Sequence, residues 1–188
     1  ITWTKYDNTI PAASDTTGTN GRVSIGTSDK GDDSGIESVS VIKDGSTYKM
    51  WYSGYDGSYR RIYYATSSDS LTWTKYDNTT PSASDTTSTN GRIPLGTSGR
   101  GDDTESQNAV VIKDNATYKM WYIGTRNDWV YKIYYATSSD GLTWTKYDNT
   151  VPTASDTTST NSRIPAGTVG RGDYYGMNTV SVIKDGEI

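Results

Sequence analysis

The side chains with chemistry to offer are carboxylates, amides and phenols. The chain has 188 residues with neither His nor Cys. That removes imidazole and thiolate metal sites, a cysteine nucleophile, a Ser-His-Asp triad and any disulfide frame. Oxygen chemistry remains. The acids gather at three places, each after a basic residue and a glycine. Asp32 and Asp33 follow Lys30-Gly31, Asp102 and Asp103 with Glu105 follow Arg100-Gly101, and Asp173 follows Arg171-Gly172. Three readings stay open for them. Asp can cap backbone N–H groups in a turn where Gly takes a positive φ. Clustered carboxylates also suit a divalent cation such as Ca2+ or the hydroxyls of a sugar. A catalytic role is the third. The spacing fits no EF-hand loop, and no cofactor is expected beyond that open place for Ca2+.

The elements that position these residues repeat along the chain. The octapeptide at 1–8 returns at 71–78 and again at 142–149, offsets of 70 and 71 residues. Tyr48-Lys49-Met50-Trp51-Tyr52 returns at 118–122, and Val41-Ile42-Lys43-Asp44 returns at 111–114 and 182–185. Matches this long and in phase define a tandem repeat, with two full copies and part of a third. Within a copy, four short runs alternate like strands, at 38–43, 47–53, 60–67 and 71–76. Asp44-Gly45 is a hairpin turn signal, and no stretch has a helical period. The expected fold is all-β, a β-propeller of four-stranded antiparallel blades, with two complete blades and partial flanking strands. The blades are assigned to 38–76 and 108–147. Residues 1–8 read as the fourth strand of a preceding blade and 179–188 as the first strand of a following one. Residues 9–37, 77–107 and 148–178 are the connectors. Two blades cannot close a ring, so either a longer array or assembly of copies through exposed blade edges is expected.

Composition sets the kind of core. Leu, Ile and Val number only 26 and Phe is absent, while Tyr numbers 16 and Trp 6. A net charge of −4 is too small for a disordered chain, so the core is built from aromatic rings. Trp3, Trp51, Trp73, Trp121 and Trp144 recur at fixed blade positions and are expected to pack between blades. The scattered cations and a pI near 4.8 argue against nucleic acid. No apolar run is long enough for a membrane span.

The run from Asp33 to Gly45, followed by Tyr48-Lys49-Met50-Trp51-Tyr52-Ser53-Gly54, resembles the blade signature of five-bladed propeller glycosidases. So does 61–69 leading into Trp73-Thr74-Lys75-Tyr76. That superfamily includes arabinanases, invertase-like fructosidases and mannoside phosphorylases. The resemblance implies carboxylates at the inner ends of the first strands, one a general acid and one a base or nucleophile. The acid's place, two residues before a Pro in the family, is held by Glu37, with Val39 where the Pro would be. Its counterparts Gln107 and Asn178 do not ionise, and the following position is Ser38, Asn108 and Thr179. One carboxylate stands where a pair is required.

The copies differ mainly at one end of the blade. There 55–60 becomes the longer 125–131, and Tyr55, Tyr59, Trp129 and Tyr174 supply rings suited to sugar stacking. Drift of lightly packed loops predicts variability too, but not this aromatic content. The expected ligand-binding set is therefore Asp32, Asp33, Glu37, Tyr55, Tyr59, Asp102, Asp103, Glu105, Gln107, Trp129, Asp173, Tyr174 and Asn178. The functional expectation is a non-catalytic propeller, extracellular or at the cell surface, that binds carbohydrate or serves in adhesion and assembly. A glycosidase with Glu37 as general acid and a purely structural filament repeat are the alternatives.

Overall fold

The computed structural model describes residues 23–26, 28, 30–76, 93, 95–96, 101–126, 130–147, 164 and 176–185. Strands β1 (Gly35–Asp44), β2 (Thr47–Tyr55), β3 (Arg60–Ser67) and β4 (Thr74–Lys75) form one antiparallel sheet in chain order. Strands β5 (Glu105–Asp114), β6 (Thr117–Thr125), β7 (Lys132–Ser138) and β8 (Thr145–Lys146) form a second in the same order. Among the described residues no helix is long and apolar enough to cross a membrane. Two-residue turns join β1 to β2 and β5 to β6. Gly45 and Asn115 take positive φ in them, a region open to Gly and tolerated by Asn.

The strand limits depart from the expected ones for local reasons. β1 and β5 begin at Gly35 and Glu105, ahead of the expected 38 and 108, because β2 and β6 run on to Tyr55 and Thr125 and need ladder partners there. A bulge between Ile36 and Val39, and another between Gln107 and Val110, absorbs the extra residue. β4 and β8 are the reverse case, two residues each. The Asp69 carboxylate accepts the N–H groups of Leu71 (2.8 Å) and Thr72 (2.7 Å), so these cannot join a ladder. Asp140 does the same for Leu142 and Thr143. Downstream, the connector returns to β3 and fills the edge that short β4 leaves, through an Ile62–Ile93 bridge.

Alternation along the strands sorts the rings to two faces of each sheet. Trp51, Ile62 and Tyr64 of the first blade pack with Ala109, Val111, Tyr118, Met120, Tyr122, Tyr134, Ala136 and Trp144 of the second. We call the first blade's contributing face trailing and the second's leading. Met50, Tyr52, Tyr63, Ala65 and Trp73 make a separate cluster on the first blade's own leading face. The main core is thus the contact between blades. Trp51 is completely buried, 5.9 Å edge-on from Trp144 and 6.1 Å from Tyr118, and its indole N–H donates to the Gly141 carbonyl at 3.2 Å. Around the rings lies a polar rim. Val111 N–H donates to Ser40 Oγ and Asn108 N–H to Ser53 Oγ, both at 2.9 Å, and Asp44 accepts from Lys113 and the Tyr118 hydroxyl.

Two measurements test this account. Trp51→Ala is expected to cost about 3–5 kcal/mol of unfolding free energy in urea, and Trp121→Ala, at the half-buried equivalent position, clearly less. Equal losses would contradict a core placed between the blades. Bonds from Thr72 N–H, Leu71 N–H and the Ser67 hydroxyl hold the Asp69 carboxyl at about 2, below its ordinary 3.8. A depressed folded value means the unfolded chain binds the proton first, so this contribution is complete above 3.8 and disappears as pH falls through about 2. Asp69→Asn should therefore weaken the fall of the urea midpoint across that interval. An unchanged slope would refute it.

Candidate functional site

The inner strand β1 and the start of β3 bring Glu37 and Arg60 together. Arg60 Nε donates to Glu37 Oε2 at 2.7 Å and Nη2 to Oε1 at 3.0 Å, a two-pronged pair of the strong kind. Its third nitrogen, Nη1, reaches Glu105 Oε1 on the next blade at 3.3 Å. These bonds, with Glu37 foremost, raise the guanidinium above its ordinary value. The two acids live in different surroundings. The Glu37 side chain is 39% exposed and that of Glu105 only 1%. Among the described residues, Glu105 Oε2 finds no hydrogen-bond partner. The Arg60 guanidinium also lies over the Tyr55 ring at 4.7 Å, and the Tyr55 hydroxyl donates to Gly57 O at 2.7 Å. Asp56 accepts the N–H groups of Ser58 and Tyr59, shaping the turn that presents the exposed Tyr59 ring. Burial lowers Arg61, which sits beside that ring and donates to Arg60 O.

The turn acids are placed elsewhere. Asp32 and Asp102 are fully buried. Asp32 accepts from the Tyr52 hydroxyl at 3.0 Å and pairs with Lys75. Asp102 repeats this with Tyr122 at 2.8 Å and Lys146 at 2.5 Å. Each pair ties the connector to β2 and β4 or to their equivalents. Burial pulls Lys146 down and pushes the Tyr122 phenol well up. Gly54 and Gly124 are required beside them, since a Cβ there would collide with Asp32 and Tyr63 or with Asp102 and Tyr134. These carboxylates stitch the fold and face no solvent. Asp33 and Asp103 are half-buried and accept from the neighbouring Ser34 and Thr104 hydroxyls. No cluster of three acidic side chains among the described residues is placed to hold a metal ion.

Of the remaining predicted positions, Gln107 is buried in β5 and Asn178 is exposed, its carbonyl accepting from Asn108 Nδ2 at 2.7 Å. Trp129, Asp173 and Tyr174 lie outside the described residues. The structure therefore joins Glu37, Tyr55 and Glu105 around one residue that sequence reasoning passed over, Arg60. A signal for it existed. Its repeat counterpart is Tyr131, so a cation appears in one copy only, on the variable end and in the copy that carries Glu37. Glu105 was read as a connector acid. Its counterpart is Gly35, and strand register brings it beside Glu37's partner.

No protein-family profile matches the chain. Two uncharacterized proteins from strains of Mycobacterium tuberculosis are 36% identical over 111 residues, which covers 55% of this chain and 31% of theirs. The chain thus spans about a third of the length of the curated relatives it matches. Among solved structures, a family 117 glycoside hydrolase from the marine bacterium Zobellia galactanivorans superposes with a TM-score of 0.52 at 16% identity. That match covers 74% of this chain and 42% of the hydrolase. The fold is a β-propeller of four-stranded antiparallel blades. A second propeller is similar at a TM-score of 0.50 and 16% identity, covering 70% of this chain and 36% of its own. It belongs to the GH130 family of mannoside phosphorylases, which contains glycoside hydrolases that target β-1,2 mannosidic linkages in Candida mannan. At such identities the likeness concerns the propeller architecture alone.

Arg60 is hydrogen-bonded to the buried Glu105, and Arg61 lies near enough to interact with the same carboxylate, which gives a direct check. Arg60→Met should destabilise the propeller by about 1–3 kcal/mol in urea unfolding, because buried Glu105 loses its hydrogen-bonded cation and keeps only the charge of Arg61 nearby. Adding Glu105→Gln should recover a large part of that loss. If the double variant is no more stable than the single one, the pairing does not carry the site.

Proposed function

We propose that this chain is a carbohydrate-binding propeller module that does not cleave its ligand, acting outside the cell or at its surface. One observation carries the reading: both oxygens of Glu37 accept from Arg60, which also holds Glu105. Glycoside cleavage needs one carboxyl carrying a proton for the leaving oxygen and another free to attack or to activate water. Here the two acids close on a guanidinium between them. Such an arrangement is suited to binding. Charged acceptors and donors fixed at a surface hydrogen-bond sugar hydroxyls, and the exposed Tyr59 ring offers a face for stacking. The polar composition and the Ser/Thr-rich connectors support the placement outside the cell. A hydrolytic reading has one observation in its favour, the approach of a second carboxylate, Glu105, to Glu37's partner.

The experiment measures binding and cleavage on the same samples. Oligosaccharides of arabinose, fructose and mannose are titrated by calorimetry while reducing ends are followed over time. The expected result is saturable binding to one of these with no new reducing ends. Tyr59→Ala should weaken binding roughly tenfold through lost stacking. Glu37→Gln should change affinity only a few-fold. Release of reducing sugar that Glu37→Gln abolishes would overturn the proposal in favour of catalysis.

A further inference from the structure

Two lysine–carboxylate pairs are shut inside the blades. Asp32 meets Lys75, and Asp102 meets Lys146 at 2.5 Å. Both carboxylates are fully buried, and the two lysine side chains are 18% and 13% exposed. The Asp114–Lys119 pair is of the ordinary kind, with side chains 29% and 32% exposed. Around Asp102 the walls are aromatic. The Tyr122 ring lies 5.7 Å from Lys146 Nζ and 5.7 Å from the buried Tyr134 ring, whose hydroxyl closes on Gly101. In the first blade Tyr52 lies 5.6 Å from Lys75 Nζ and 5.7 Å from Tyr63. Strands β2 and β6 pass directly against the two acids at Gly54 and Gly124, which keeps each carboxyl turned to its lysine.

Such a setting changes the chemistry open to the pair. Burial penalises both charges, and it pulls Lys146 below its ordinary value. Passing one proton from Nζ to Oδ2 leaves an amine and a carboxylic acid, a form that costs less to bury. A desolvated lysine amine is a nucleophile, and the electrophile within reach is Cγ, bonded to the oxygen that Nζ touches. The Tyr122 hydroxyl donates to that same Oδ2 at 2.8 Å, and burial pushes its phenol well up, so it keeps its proton. Tyr52 stands the same way on Asp32 Oδ2 at 3.0 Å.

We propose that Lys75 with Asp32, and Lys146 with Asp102, condense to intramolecular isopeptide bonds, one in each blade. Nζ attacks Cγ, a C–N bond forms and the Cγ–Oδ2 bond breaks. Oδ2 leaves as water with two of the three ammonium protons, the second of them relayed through the tyrosine hydroxyl. The third stays on the amide nitrogen, so charge and atoms balance without a co-reactant. Groups held in contact react as if at about 10⁵–10⁸ M, and burial disfavours the ionic form to which hydrolysis would return. The bonded residues are 43 and 44 positions apart. Each bond therefore runs from the connector before a sheet to its fourth strand and encloses the whole blade. Those fourth strands are two residues long, and a chain without Cys has no disulfide to fasten them. Carbohydrate binding plays no part in this argument.

Mass spectrometry of the purified chain reads the bonds directly. The intact mass is expected to fall short of the sequence mass by two waters. Trypsin should not cut after Lys75 or Lys146, and the digest should hold branched peptides joining each lysine to its aspartate. Lys146→Arg keeps a cation beside Asp102 but has no amine to acylate, so it should regain one water. Lys75→Arg should regain the other, and near-UV circular dichroism checks that each variant is folded. Tyr122→Phe removes the proton carrier and should leave most chains open in the second blade. Full closure there would overturn the relay. Wild-type chain that has its full sequence mass and is cut at both lysines would overturn the proposal without recourse to any variant. Missing water with both lysines still cut would also overturn it, by pointing to cyclised Asp-Gly steps such as Asp44-Gly45.

Discussion

Trp51 lies under Tyr118 and Trp144 with its indole N–H on the Gly141 carbonyl, and the arrangement of everything else depends on that seat. A four-stranded meander has two faces and no thickness, so alone it leaves its rings in water. Stacking the next sheet on it removes them from water and leaves the indole N–H paired. The rim of Ser40, Ser53 and Asp44 then fixes how the two sheets are offset, because each accepts a donor from a particular residue of the neighbour. Apolar burial supplies the drive, and these directional bonds supply the register.

The candidate site is a consequence of that offset. Glu37 and Arg60 belong to one blade and Glu105 to the next, so their meeting exists only while the blades are docked. The buried acid at this junction would be costly without its guanidinium. The same logic appears deeper in each blade, where Asp32 and Asp102 are fully buried yet tied to a phenol and an ammonium. Repetition distinguishes the two kinds of acid. The Asp–Tyr–Lys group recurs in both blades and fastens the connector to the sheet, whereas among the described residues the Glu–Arg–Glu group occurs once and lies across the boundary between blades.

Conservation of form between copies coexists with a change of chemistry at one end. The turns capped by Asp69 and Asp140 are superimposable in their bonding, each carboxylate taking two backbone N–H groups and a serine hydroxyl. Residues 55–60 and 125–131 diverge between the copies. They differ in length and in side chains, and Arg60 aligns with Tyr131 in the repeat.

Much of this was legible in the linear order of residues. Repeats at 70 and 71 residues, alternating rings and Gly or Asn at the turns determine the blades and their all-β character, since period-two patterning and turn chemistry are local properties. The same alternation marked Trp51 and Trp144 as packing residues. It did not show that Asp32 and Asp102 are interior while Glu37 stands at the surface, because neighbouring carboxylates look alike until a chain is folded. Nor did it show that Glu105 serves the site, since its aligned position is occupied by Gly35. Which carboxylates meet a cation, and which blade supplies them, was decided only when bulged strands from two sheets were brought side by side, because pairing of charges depends on distance in space and not on spacing in sequence.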